Sequence, residues 1–192
     1  MSDASSSATP SPLPAAQAAL ARVVAEVEEH MSHRGWDAPV AVFALVRTTA
    51  ALEADPDLAA VLDEEAVAEA RQDQHALTVI EQEQLPEATD LEDLLAQLAW
   101  PETVDGVALS VERVSLPPSA EEEAVSIADP QERLAFLQSH PARDDVRIVV
   151  GVLRSGEAWC AVRTRSHDRT DAVVQGEAMV PGLIEALGAT FA

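Results

Sequence analysis

The chain has 192 residues, 47% of them apolar, which predicts a single domain with a sizeable core. Its 34 acidic residues face 12 basic ones, and the formal net charge of −22 repels phosphate backbones and anionic lipids, so we expect neither nucleic-acid nor membrane binding. The single cysteine excludes an internal disulfide. No stretch approaches the ~20 apolar residues that span a bilayer, and we expect a soluble cytoplasmic protein.

The first residues differ from the rest of the chain in composition. Residues 1–13 are rich in Ser, Ala and Pro, a mixture that buries too little apolar surface to order itself. We therefore predict a disordered tail over residues 1–13 and a single α+β domain over residues 14–192.

Apolar spacing predicts the elements of this domain in chain order. A first helix opens near Pro14 and ends near Gly35, and its charged residues, Glu28 among them, are expected to face water. Acidic segments, including residues 119–128, read as connections, a loop or a frayed helix. The other predicted elements are strands over residues 39–48, 77–85 and 106–116, and helices from residues 48, 55, 90, 129 and 180 onward.

The strongest strands lie in the last third of the chain. Residues 146–153 and 157–164 flank Arg154-Ser155-Gly156-Glu157 and predict a tight β-hairpin. A two-residue loop sets Ile148 opposite Arg163 and His167 opposite Asp144. In this register Arg147 and Arg163 lie on opposite faces of the sheet.

The predicted order is α β α β α β α β β α. It indicates an α+β fold with a single mixed, largely antiparallel five-stranded sheet and helices packed on it. With the helices between the early strands taken as insertions, the order is similar to that of secretion-chaperone-like domains, which are small acidic dimers that hold a partner segment.

A set of local motifs runs through the chain after the tail: GWDAP (residues 35–39), FALVRT (43–48), VIEQEQLP (79–86), AWPETVDGVAL (99–109), VERVSLPP (111–118), HPARDDVRIVVGVLRSG (140–156) and VPGLIEAL (180–187). Together they resemble a family of small acidic actinobacterial proteins of unassigned function. The resemblance implies a single domain and an actinobacterial source, and it brings no catalytic motif.

Motifs for common chemistries are missing. The seven glycines are isolated, so there is no glycine-rich phosphate loop, and no G-x-S-x-G elbow occurs. Cys160 lies inside a predicted strand, where packing is favoured over a nucleophilic role. Glu81 and Glu83 lie about 7 Å apart on one strand face, but a solvated strand edge explains them better than a glycosidase pair. We predict no catalytic residue and no cofactor.

Histidines offer two possible metal groupings. His30 and His33 are three residues apart at a helix end, with no third ligand assigned. The predicted hairpin register collects a second group of imidazoles and carboxylates at its open end: His140, Asp144, Asp145, His167 and Asp168. A helix stop and a polar turn explain the second group better, and no metal site is predicted.

Arginines are concentrated near the hairpin. Residues 141–170 carry six arginines against four acids, whereas residues 1–140 carry six against 27. We predict a ligand- or partner-binding site at Arg147, Arg163, Arg165 and His167, which suits a carboxylate, a phosphate or an acidic loop. The competing interpretation, which we favour, is that these arginines pair with the protein's own acids.

Two function classes follow from these observations. The first is a non-catalytic protein-binding or adaptor module of chaperone-like type, with a protein partner or a second copy of the chain in a homodimer. The alternative is a small-ligand protein or an enzyme that binds an anion or a metal at the open end of the hairpin.

Overall fold

The computed structural model describes residues 12–191. These residues form a six-stranded antiparallel sheet with helices packed on it. The order across the sheet is β2-β1-β3-β4-β5-β6, and every neighbouring pair is antiparallel. The strands are β1 (Ala41–Arg47), β2 (Leu77–Glu81), β3 (Gly106–Ser115), β4 (Asp144–Leu153), β5 (Ala158–Thr164) and β6 (Val174–Gly176).

The α+β prediction is confirmed, with one strand more than expected. At three residues, β6 is too short to show an alternating pattern. The predicted tail lies outside the described residues apart from Pro12 and Leu13.

Seven α-helices occur within residues 12–191. They are α1 (Ala15–His33), α2 (Thr48–Ala54), α3 (Glu64–Gln72), α4 (Leu91–Gln97), α5 (Pro118–Ser126), α6 (Pro130–Ser139) and α7 (Pro181–Ala189). Helix α3 replaces an acidic connection that the sequence suggested, and α5 matches the frayed helix that was one of the two expectations for residues 119–128. In α3 the acids Glu64 and Glu65 occupy the first turn, where they stabilise the helix N-terminus. None of these helices combines the length and apolar character needed to cross a bilayer.

The core has two parts because successive strand residues point to opposite faces of the sheet. On one face, α1 packs its apolar stripe against Phe43, Ala108, Val149 and Ala161. On the other face, α4 and α7 cover Val42, Val107, Leu109, Val150 and Cys160. The sheet is therefore a middle layer between helices, and β1, β3 and β4 are buried on both faces.

The hairpin of β4 and β5 has a longer turn than predicted. Leu153 N–H donates to Glu157 O, which leaves a three-residue loop that ends at Gly156 with φ +104°. A left-handed third position is typical of three-residue hairpin loops, and glycine adopts it without strain. The extra loop residue shifts the register by one, so Arg147 pairs with Arg163 and Ile148 with Val162. The predicted register is wrong, and Arg147 and Arg163 share a face.

Candidate functional site

The predicted site residues lie where the β4–β5 hairpin meets the end of α1. We call Arg147, Arg163 and Arg165, together with the acids that bind them, the arginine cluster. Arg147 and Arg163 are cross-strand partners on the face that α1 covers, and both are buried. Two like charges in this position are destabilising unless carboxylates neutralise them.

Arg163 is neutralised by an acid of α1. Its Nε and Nη2 donate to Glu28 Oε1 and Oε2 at 2.6 and 2.8 Å, and both side chains are only 3% exposed. Nη1 donates to Asp168 Oδ1 at 3.1 Å. The expectation that Glu28 faces water is therefore wrong. Leu20 and Val24 precede Glu28 at intervals of four, so all three lie on one helix face, and this spacing was the signal for its burial.

Arg147 is 1% exposed and is bound on several sides. Nη2 donates to Glu112 Oε1 at 2.9 Å and to the carbonyl oxygen of Gly35. The guanidinium carbon lies 4.6 Å from the centre of the Trp36 ring, a cation–π arrangement. Within residues 12–191, Nε of Arg147 has no hydrogen-bond partner.

Arg165 lies at the outer rim of the cluster. Nη1 and Nη2 donate to Asp37 Oδ1 and Oδ2 at 3.2 and 3.1 Å, and Nη1 also reaches Asp145 Oδ2 at 3.2 Å. Its guanidinium carbon lies 5.5 Å from the Trp36 ring centre. Asp37 has φ 65°, which is unusual for a residue other than glycine. The pair with Arg165 and the bond from Asp37 N–H to Glu112 Oε2 hold it there.

His167 does not face Asp144, as the predicted register required. Ser166 takes that place, because both its N–H and its hydroxyl donate to the Asp144 carboxylate. The exposed His167 contacts the Ser166 hydroxyl through Nδ1 at 2.8 Å. His140 Nδ1 accepts from the backbone of Ala142 at 3.1 Å. In the described range no three His, Cys, Asp or Glu side chains gather closely enough to hold a metal ion.

The arginine cluster joins four parts of the chain. Trp36 Nε1 donates to Asp168 Oδ2 at 2.8 Å, and this bond, together with Arg163, holds the pKa of Asp168 below its usual value. The segment after α1 is thus joined to β3, β4 and the turn after β5. The favoured interpretation of these arginines, pairing with the protein's own acids, matches the geometry.

A different concavity lies at the β2 edge of the sheet, between α1 and β2. It has a volume of about 270 Å³ and is lined by Glu26, Val27, His30, Phe43, Val79 and Glu81. We call it the edge groove. Val27 and Phe43 are buried and form an apolar floor, whereas Glu26 and His30 are exposed at its rim. The sequence did not indicate this groove, because its walls come from three elements far apart in the chain.

The two ends of the edge groove differ in charge balance. At one end Arg34 donates to both oxygens of Glu81 at 2.7 and 2.6 Å and to His30 Nε2 at 2.9 Å. This bridge lowers the pKa of Glu81. At the other end Glu26 has no salt bridge within the described residues. Partial burial and the nearby Glu69 carboxylate raise its pKa, and the attraction of Arg22 offsets this only in part. Of the two carboxylates that line the groove, Glu26 is therefore the one without a direct cationic partner in the described residues.

The other residues that the sequence singled out, Cys160, Glu83 and His33, do not form a catalytic or metal-binding group in the described part of the chain. Cys160 is buried between the sheet and the residues before α7, and burial raises the pKa of its thiol, which disfavours the nucleophilic thiolate. Glu83 is exposed beyond the end of β2, and only Glu81 of the proposed acid pair lines the edge groove. His33 is exposed at the last turn of α1.

Fold and site together define an α+β protein with an open antiparallel sheet, an internally paired arginine cluster and a groove beside one sheet edge. The chain belongs to the PPA1309-like protein family, whose model matches residues 20–192. This confirms the resemblance found in the sequence to a family of unassigned function. Comparisons with curated proteins and with solved structures give no match.

Proposed function

We propose that this protein is a non-catalytic, cytoplasmic binding module of adaptor or chaperone-like type, and that it holds an extended segment of a partner protein along β2. The observation that carries this proposal is the open edge of β2 beside the edge groove. Strand β2 pairs with β1 on one side and with no other strand in residues 12–191. An open strand edge with an adjacent side-chain pocket is the usual arrangement for strand addition.

The hydrogen-bond pattern shows which backbone groups are available. Gln82 N–H donates to Val42 O, and Thr48 N–H donates to Ala76 O, both at 2.9 Å. In an antiparallel pair the bonded positions alternate, so the even-numbered residues of β2 face β1. The amide and carbonyl groups of Leu77, Val79 and Glu81 therefore point to the open edge, in the spacing that an added strand requires.

Charge favours a foreign partner over a second copy of the chain. Two copies would each carry a net charge of −22, and pairing β2 with itself would bring two edges of like charge together. The strand also has only five residues and carries Glu81, features that discourage edge-to-edge association. The homodimer is therefore the less favoured occupant of this edge, and sedimentation analysis tests it directly.

The alternative function, an anion-binding or enzymatic site at the open end of the hairpin, has less support from the geometry. Arg147 and Arg163 are buried, and each guanidinium of the arginine cluster already binds at least one carboxylate. An incoming anion would have to displace these acids. If the alternative were correct, phosphate or a dicarboxylate would raise the melting temperature, and Arg165→Met would abolish the effect.

The test of strand addition uses defined peptides and NMR. The probes are heptapeptides of alternating threonine and valine with an acetylated N-terminus and an amidated C-terminus. Their central residue is lysine, norleucine or glutamate. We expect at least one of them to shift the amide resonances of Leu77, Val79 and Glu81. N-methylation of the alternate peptide amides that face β2 should abolish binding, whereas methylation of the other set should not. If no peptide shifts β2, or if both methylated sets bind equally, the proposal is wrong.

A protein variant provides an independent check. Val79→Pro removes an outward-facing donor and leaves the bonds to β1 in place, because the Val79 amide does not face β1. Val79→Thr is the matched control, since it keeps the amide and the strand propensity. The Val79 side chain also lines the edge groove, and threonine keeps nearly the same shape there. Binding should therefore be lost in the proline variant and largely retained in the threonine variant. A homodimer through this edge would instead appear as a concentration-dependent dimer that only Val79→Pro dissociates.

A further inference from the structure

The edge groove lies beside β2, where it could receive a side chain of a strand that pairs with β2. This inference rests on the proposed function and concerns which partner sequence is bound. Val79 and Glu81 line the groove together with Phe43 of β1, so the groove opens on the α1 face of the sheet. Side chains of a strand alternate between faces, and those of an added strand that point to the α1 face would project beside the groove.

The size of the edge groove fits a side chain better than a small molecule. Its volume of about 270 Å³ is below the range of ~300–1,000 Å³ that is usual for small-molecule sites. The floor formed by Val27, Phe43 and Val79 is apolar, and the ring of His30 stands edge-on to Phe43 at 6.5 Å. A long side chain with an aliphatic stem would bury that stem against this floor.

The charges at the rim determine what the end of that side chain carries. Glu81 is occupied by Arg34, so the unmatched carboxylate is that of Glu26. Arg22 lies on the same helix and attracts Glu26 without forming a salt bridge to it, because its guanidinium binds Glu69 and Asp73, at 2.8 and 2.9 Å. A cationic group would compensate Glu26. An acidic group would be repelled, and an apolar group would desolvate the carboxylate further without a partner.

We propose that the edge groove is a specificity pocket for a basic residue, lysine or arginine, of the segment that adds to β2. The aliphatic stem lies on Val27, Phe43 and Val79, and the cationic head pairs with Glu26. The partner segment is therefore an extended stretch with a basic residue on the face that points to α1. The net charge of −22 adds a long-range attraction for a basic partner.

The heptapeptide panel tests this selectivity because its members differ only at the central residue. We expect the lysine peptide to bind about tenfold more tightly than the norleucine peptide, the effect of one close charge pair, and the glutamate peptide to bind weakest. Glu26→Gln should bring the lysine and norleucine affinities together. Glu185→Gln removes the same charge from an exposed position on α7, across the sheet, and should leave the preference unchanged.

The outcomes separate this inference from the proposed function. If the peptides shift β2 but lysine and norleucine bind equally, the pocket assignment is wrong and strand addition stands. If Glu26→Gln and Glu185→Gln weaken the preference for the lysine peptide equally, that preference comes from the overall negative charge of the protein. This result would also overturn the pocket assignment. If no peptide shifts β2, both proposals fail together.

Discussion

Arg163 of β5 and Glu28 of α1 form a two-point ion pair across 135 residues of sequence, and each side chain is only 3% exposed. A buried pair of this kind gains little net stability over apolar residues of similar size, because both charges lose their hydration. Removing one partner is costly, since it leaves the other charge buried.

The first prediction concerns this pair. Glu28→Leu should lower the free energy of unfolding by about 3 kcal/mol, because it leaves the buried Arg163 guanidinium with only the half-exposed Asp168 as a carboxylate partner. The double variant Glu28→Leu/Arg163→Met should lose less than the single variant. Urea denaturation followed by circular dichroism measures both losses. A double variant that loses the sum of the two single effects would contradict the argument.

A surface pair serves as the control for that experiment. Arg169 and Asp171 are 71% and 75% exposed, and their closest charged atoms are 3.4 Å apart. Arg169→Met should change the free energy of unfolding by no more than about 0.5 kcal/mol, because solvent screens exposed ion pairs.

Most of the fold was predictable from local sequence patterns. Apolar runs indicated β1, β4 and β5, alternating apolar residues indicated β3, and the spacing of Leu20, Val24 and Met31 indicated α1. These patterns are strong because each element buries a continuous set of side chains. In contrast, α3 buries only Val67 and Ala70, so its acidic sequence looked like a connection.

The candidate sites were less predictable because they depend on details that local patterns do not contain. The loop that ends at Gly156 is compatible with two or three residues, and the choice decides whether Arg147 and Arg163 share a face. The edge groove depends on which residue of α1 lies beside Val79. That proximity is a property of helix packing on the sheet, and neither segment shows it alone.

The second prediction concerns the packing of α1 on β4. A Cβ atom at Gly151 would lie 2.8 Å from Val24 Cγ2 and 2.9 Å from Leu20 Cδ1, closer than real Cβ contacts. Gly151→Ala should therefore destabilise the protein by about 1–3 kcal/mol through overpacking. Gly182→Ala in α7 is the control, since its Cβ would meet nothing within 4 Å and alanine favours the helix. Thermal unfolding should rank Gly151→Ala below wild type and Gly182→Ala at or above it.

The third prediction concerns acid stability. The hydrogen bond from Trp36 Nε1 is the main reason that the pKa of Asp168 lies below the ordinary aspartate value of 3.8. A lowered folded-state pKa contributes stability at pH values above 3.8, and this contribution is lost as the pH falls through the folded-state pKa. Trp36→Phe should move the Asp168 pKa upward and shrink this contribution.

Carboxyl-carbon NMR titration measures that shift. Trp159→Phe is the control, because the Trp159 indole donates to Gln175 Oε1 at 3.2 Å and does not contact Asp168. An Asp168 pKa that stays unchanged in Trp36→Phe would show that the neighbouring arginines, Arg163 and Arg147, lower it without the indole.

The fourth prediction concerns Arg154, which follows β4 and contacts Phe191 after α7. Nε donates to Val104 O at 2.7 Å, Nη2 donates to Trp100 O and Pro101 O at 2.9 and 3.0 Å, and the guanidinium carbon lies 4.5 Å from the Phe191 ring centre. Arg154→Lys keeps the charge but loses the planar fork, so we expect a loss of about 1–2 kcal/mol and faster hydrogen exchange in α7. Arg71→Lys, at an exposed position on α3, is the matched control. Equal exchange rates in the two variants would show that α7 is held by its apolar contacts alone.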